Sequence, residues 1–89
     1  MVIPNAFTPN ADYLNDSFKP LVPAPVTQYR MQIYSRWGQL LFETGNYQEG
    51  WDGRYKNMQQ QTGTYIYTIS FRNVDGQYVF KKGTLVLIR

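Results

Sequence analysis

Thr64-Tyr65-Ile66-Tyr67-Thr68-Ile69-Ser70-Phe71-Arg72-Asn73-Val74 runs into Asp75-Gly76 and then Gln77-Tyr78-Val79-Phe80-Lys81-Lys82. The first eleven residues put Tyr65, Tyr67, Ile69 and Phe71 on one side and mostly polar groups on the other, the period of two of a half-buried strand. Asp75-Gly76 is a two-residue turn signal of the type I′ kind, because both central residues need positive φ. Gln77 to Lys82 is therefore expected to return antiparallel. Gly83 is expected to break the register, and Thr84 to Arg89 to form a last strand. That strand is apolar on both faces, Leu85 and Leu87 opposite Val86 and Ile88, which implies burial on two sides or an uncovered patch.

Working outward, Thr27 to Ser35 alternates in the same way, with Tyr29, Met31 and Ile33 on one face. Arg36-Trp37-Gly38 reads as a turn and Leu40 to Thr44 as the returning strand. Gly45 to Gly53 reads as loop, with Trp51 covering the open end of the core. Asn57 to Gln61 reads as a polar connection. Val2 to Lys19 is rich in Asn, Asp and Pro and reads as a shaped loop pinned by Ile3, Phe7 and Phe18, with short extended pieces at Val2-Pro4 and Phe18-Leu21. Pro20, Pro23 and Pro25 exclude a helix up to Val26. No ten-residue segment carries a 3.6-residue apolar period, so the expectation is all-β: one immunoglobulin-like antiparallel sandwich of about seven short strands, a single domain over residues 1–89.

Composition narrows the function. The 89 residues are 43% hydrophobic and include eight Tyr, five Phe and two Trp, enough buried aromatic area to stabilise one small core without a staple. Cysteine and histidine are absent, which removes thiolate metal sites, disulfides and the commonest general base. The net charge of +3 is spread along the chain, with only Lys81-Lys82 adjacent. A nucleic-acid surface would instead cluster its cations. No apolar run approaches the length of a membrane helix, so no membrane insertion is expected, and Met1 has no signal-peptide pattern behind it.

Four ordered clusters carry a resemblance. They are Ile3-Pro4-Asn5-Ala6-Phe7-Thr8-Pro9-Asn10 with Asn15-Asp16 and Phe18; Ile33-Tyr34-Ser35-Arg36-Trp37-Gly38; Gly50-Trp51-Asp52-Gly53; and Lys82-Gly83-Thr84. In order and spacing the chain resembles the gliding motility-associated C-terminal family, the type B C-terminal sorting domains of Bacteroidota. Ala11 and Tyr13 depart from it, since family members commonly have Gly there. The resemblance implies a non-catalytic sorting domain, excised from a larger exported protein. It implies that attached N-terminal cargo crosses the periplasm and the outer membrane to the cell surface or medium, through the type IX secretion system. The partners implied are outer-membrane components of that machinery.

Candidate sites follow from residue chemistry. Asn10, Asp12 and Asp16 place oxygen ligands at a spacing that suits calcium, or else make Asx-turns; no other cofactor is expected. Trp51, Asp52 and Gly53 read as a structural motif in which the carboxylate holds a turn. Arg36 and Trp37 read as a cation–π pair and recognition site, with core packing of Trp37 as the rival. Lys81, Lys82, Gly83, Thr84 and Arg89 mark the last strand as a second recognition candidate, although lysines also guard strand edges against aggregation. The rivals to sorting are a carbohydrate-binding module, which needs a flat face of exposed aromatics, and a structural Ig-like spacer.

Overall fold

The computed structural model describes residues 2–9, 17–22 and 25–89. Its strands are β1 (Ala6–Phe7), β2 (Thr27–Tyr34), β3 (Leu40–Thr44), β4 (Arg54–Tyr55), β5 (Met58–Gln59), β6 (Gly63–Arg72) and β7 (Tyr78–Leu87). No helix occurs among the described residues. A five-stranded sheet has the order β1-β7-β6-β2-β3, and β4 pairs with β5 separately. All neighbours are antiparallel except β1, which runs parallel to β7 through Ala6↔Val86 and Phe7↔Leu87. The protein is an all-β, immunoglobulin-like sandwich whose second layer is built mainly from bridges and loops.

The alternation in β6 does what its period requires. Tyr65, Ile69 and Phe71 are buried, joined from β2 by Tyr29, Met31 and Ile33 and from β7 by Leu85 and Leu87. Onto this face pack Phe7, Phe18 and Trp51. The Trp51 ring lies 5.1 Å from Tyr65 and 5.6 Å from Phe7, and Phe18 lies 5.5 Å from Tyr67. Two isolated bridges, Val2↔Leu21 and Phe18↔Trp51, tie this layer together.

Three expectations change, and one left open is decided. The β6–β7 turn is not a two-residue type I′ turn: Asn73 O accepts from Gly76 N–H at 2.9 Å, Asn73 N–H donates to Gln77 O at 3.0 Å, and only Gly76 has positive φ, at 81°. The loop thus holds three residues, a type I turn closed by a left-handed glycine. The Asn73 side chain forces this by accepting from the N–H groups of both Asp75 and Gln77 at 3.0 Å. Gly83 does not break the strand either. It pairs with Tyr67 inside one ten-residue strand, and a Cβ there would lie 2.6 Å from the Tyr67 hydroxyl oxygen. Glycine leaves the room that the Tyr67 ring fills. The type I′ turn lies elsewhere, at Lys56 (φ 52°) and Asn57 (φ 64°), joining β4 to β5, so the connection expected over Asn57 to Gln61 contains a strand. Lastly, the doubly apolar end of β7 resolves into buried Leu85 and Leu87 and an uncovered pair, Val86 and Ile88.

One core group is out of keeping with its surroundings. The Tyr29 hydroxyl is buried without a hydrogen-bond partner among the described residues, and burial pushes its pKa up to about 12. A buried unpaired hydroxyl costs about 1–3 kcal/mol. Tyr29→Phe is therefore expected to raise the melting temperature by about 4–8 °C per kcal/mol recovered. Because the folded pKa is raised, stability is intact below the ordinary tyrosine value near 10 and falls as pH climbs toward 12. Thermal melts of both proteins between pH 7 and 11.5 check this: the variant should melt higher at pH 7 and lose less on the alkaline side.

Candidate functional site

The β2–β3 hairpin tip is a three-residue loop of the same construction as the β6–β7 turn. Gly38, at φ +90°, donates to Ser35 O at 2.9 Å, and Ser35 Oγ accepts from the N–H groups of Trp37 and Gln39, each at 3.2 Å. This geometry lifts Trp37 off the molecule, leaving it 82% exposed. Core packing of Trp37 is therefore excluded. The Arg36 guanidinium sits 4.8 Å from the centre of its ring, within cation–π range.

Beside the tip lies a cleft of about 400 Å³, walled by the hairpin on one side and by Gln59 to Tyr65 on the other. Gln39, Gln59, Gln61 and Thr64 offer it amides and a hydroxyl. Below it, the Tyr65 hydroxyl donates to Gln61 O at 2.6 Å. Burial raises the Tyr65 pKa, an effect opposed by the positive charges of Arg89 and Arg36. The sequence reading missed this wall, taking the glutamine run as a connection.

Arg89 organises the far side. Its Nε donates to Gln60 O at 2.6 Å, its Nη2 to Gly53 O at 2.7 Å and its backbone N–H to Thr62 Oγ1 at 3.1 Å. Gly53 O also accepts from Gln60 N–H at 2.8 Å. The Trp51-Asp52-Gly53 segment completes this corner. Trp51 is fully buried and its Nε1–H donates to Arg54 O at 2.9 Å, while Asp52 Oδ1 accepts from Arg54 N–H at 3.1 Å. Arg89 thus clamps the wall of the cleft to the Trp51 turn, far from the lysines with which it was grouped by sequence.

Lys81, Lys82 and Thr84 stand on a different feature. β1 covers β7 only at Val86 and Leu87, through Val86 N–H to Asn5 O at 2.9 Å and Ile88 N–H to Phe7 O at 3.0 Å. By the alternation of an antiparallel ladder, Phe80, Lys82 and Thr84 aim their N–H and C=O groups the same way. Among the described residues these groups meet no strand. The result is an open edge from Tyr78 to Thr84, bearing Tyr78 and Phe80, both more than half exposed, and two adjacent lysines. Gly83 contributes the space under Tyr67 rather than a contact of its own.

The candidate recognition residues therefore separate into two groups. Arg36 and Trp37 border the cleft, with Arg89 behind it, whereas Lys81, Lys82 and Thr84 lie along the open edge. Asn10, Asp12 and Asp16, the calcium candidates, lie outside the described residues. Among those described, no group of three metal-ligating side chains converges.

No curated protein matches the chain. A family model does, over residues 1–87 of the 89: that of the CHU_C type IX secretion signal domain. The match takes in all seven strands, the hairpin tip and the open edge, and it implies interaction with the secretion machinery, attached cargo and export across the outer membrane. The chain belongs to the type IX secretion signal domain family.

Proposed function

We propose that this domain acts without catalysis as a C-terminal address, read as a folded unit by an outer-membrane component of the type IX machinery through the open edge of β7. The observation that carries the reading is the stretch from Tyr78 to Thr84 whose outer edge pairs with no strand among the described residues. Such an edge offers a strand-shaped set of donors and acceptors to a partner strand, with side chains supplying selectivity. Lys81 and Lys82 favour an acidic partner strand. They also oppose pairing of two copies, because edge-to-edge alignment would set like charges together. The attached N-terminal cargo would travel with the domain.

A periplasmic reporter ending in residues 1–89 tests this in a host with a type IX system. The wild-type fusion is expected on the cell surface. Lys82→Pro removes an outward N–H and no bond of the β6–β7 ladder, so the fold should survive, as proline does on edge strands. Display is expected to fall by about tenfold or more, the loss of one central main-chain contact and its register. A folded Lys82→Pro domain displayed at the wild-type level would rule out the edge. A folded wild-type fusion retained in the periplasm would rule out the sorting role itself.

A further inference from the structure

The cleft at the hairpin tip is not used by the edge of β7. It lies at the end of the sheet where β6 begins and β2 ends, whereas the open edge flanks the other half of β6. Its residues say what it could hold. Among the described residues the lining contains no carboxylate, so a cation finds no counter-charge there. Its one cation, Arg36, is stacked on Trp37, which is a poor arrangement for an anion that needs converging donors. Apart from Trp37 and buried Tyr65, the lining carries no apolar side chain of any size. A hydrophobic ligand would have nothing to bury against.

What remains is a ring and a set of amides. Gln39, Gln59 and Gln61 are exposed, and their side chains make no hydrogen bond among the described residues. Each amide presents donors and an acceptor on one planar group, the combination that matches a hydroxyl, itself donor and acceptor. Thr62 and Thr64 add hydroxyls to the same wall. Trp37, exposed over most of its surface, offers the π-face turned away from the Arg36 guanidinium to the axial C–H groups of a sugar ring. The volume of about 400 Å³ falls within the range of about 300–1,000 Å³ typical of small-molecule sites. The wall is also held ready, since Arg89 fixes Gln60 and Thr62 and Tyr65 fixes Gln61.

From these features we infer that the cleft between the Ser35–Gln39 hairpin tip and Gln59–Thr64 binds a neutral glycan, with Trp37 stacking on a sugar ring and the glutamine amides bonding its hydroxyls. The site differs from a flat aromatic platform in having one ring and many amides, which suits a short segment or chain end rather than a crystalline surface.

Calorimetric titration of the intact domain with cello-, manno-, xylo- and laminarihexaose tests the inference, with hexaglutamate as the charged comparison. At least one neutral hexasaccharide is expected to bind and to shift the emission of the exposed Trp37, while buried Trp51 stays silent. Trp37→Ala, which removes no core contact and so keeps the fold, is expected to weaken that binding by about tenfold or more, and Gln61→Ala by a few-fold. Failure of all four sugars, unchanged affinity in Trp37→Ala, or preferential binding of hexaglutamate at the same residues would each overturn it. Because Lys82 and the edge are untouched, reporter display should be unaffected by Trp37→Ala.

Discussion

Trp51→Ala is expected to remove about a third or more of the domain's stability. The indole is fully buried, contacts Phe7 and Tyr65 ring to ring, and donates to Arg54 O. Its removal opens a cavity and strands a carbonyl, at a cost of about 3–5 kcal/mol for the truncation. A chain of this size has about 5–10 kcal/mol in hand. The melting temperature should therefore fall by about 12 °C at the least, and by more than 20 °C at the upper end of the cost. Trp51→Phe refills part of the volume without restoring the hydrogen bond, so it should fall between the two. Thermal and urea unfolding followed by circular dichroism measure all three, and a Trp51→Ala protein melting within a few degrees of the wild type would show that the core is centred elsewhere.

Gly50→Ala should cost nearly as much as many core truncations although it adds a single methyl group. A Cβ at Gly50 would sit 2.8 Å from Ser17 Oγ and 2.9 Å from Phe18 O. The carbonyl is main chain and is already bonded to Trp51 N–H at 2.9 Å, with Phe18 N–H returning to Trp51 O at 2.8 Å. Relief requires the Phe18 segment to move away, which breaks the bridge that carries Phe18 and Trp51 into the core. Overpacking of this kind costs about 1–3 kcal/mol. The same melts check it, and amide exchange at Phe18 and Trp51 should quicken well before the rest of the sheet. Unchanged exchange at these two amides would mean that the bridge does not depend on the close approach.

These two residues also show why the chain was partly readable. Tyr65, Tyr67, Ile69 and Phe71 announce their face through local alternation, and Tyr29, Met31 and Ile33 do the same, so the sheet and its core were visible without coordinates. The differences have non-local, side-chain or unsignalled backbone causes. Asp75-Gly76 looked like a two-residue turn until Asn73 took two backbone N–H groups and lengthened the loop. Gly83 looked like an interruption because its partner, the Tyr67 ring, is sixteen positions away, as the numbering shows. Lys56 and Asn57 gave no glycine signal for the positive φ they both adopt.

The candidate site was legible in the same uneven way. Arg36-Trp37 could be singled out because Arg and Trp are the residues enriched at recognition hot spots, and its exposure settles the choice between surface and core. The glutamine wall could not. Gln59 to Gln61 become one side of a cleft only when Arg89 reaches back across 29 residues to Gln60 and across 36 to Gly53. No local pattern records that reach. Lys81 and Lys82 were noticed for their charge, but the open edge beneath them depends on how little of β7 is covered by β1.

That short parallel contact orders events in time. A chain made from its amino end can form the β2–β3 and β6–β7 hairpins from neighbouring residues as they appear. The Phe7 ring meets Phe18 and Trp51, but the main chain of Ala6 and Phe7 has no strand partner until Val86 and Leu87 exist. That pairing has the greatest sequence separation among the described strand pairs, and its loop-closure cost is smallest once the hairpins have already drawn the sheet together. A chain that stops short of residue 86 leaves β1 without its strand partner, so the five-stranded sheet is complete only when residues eighty positions apart are both present.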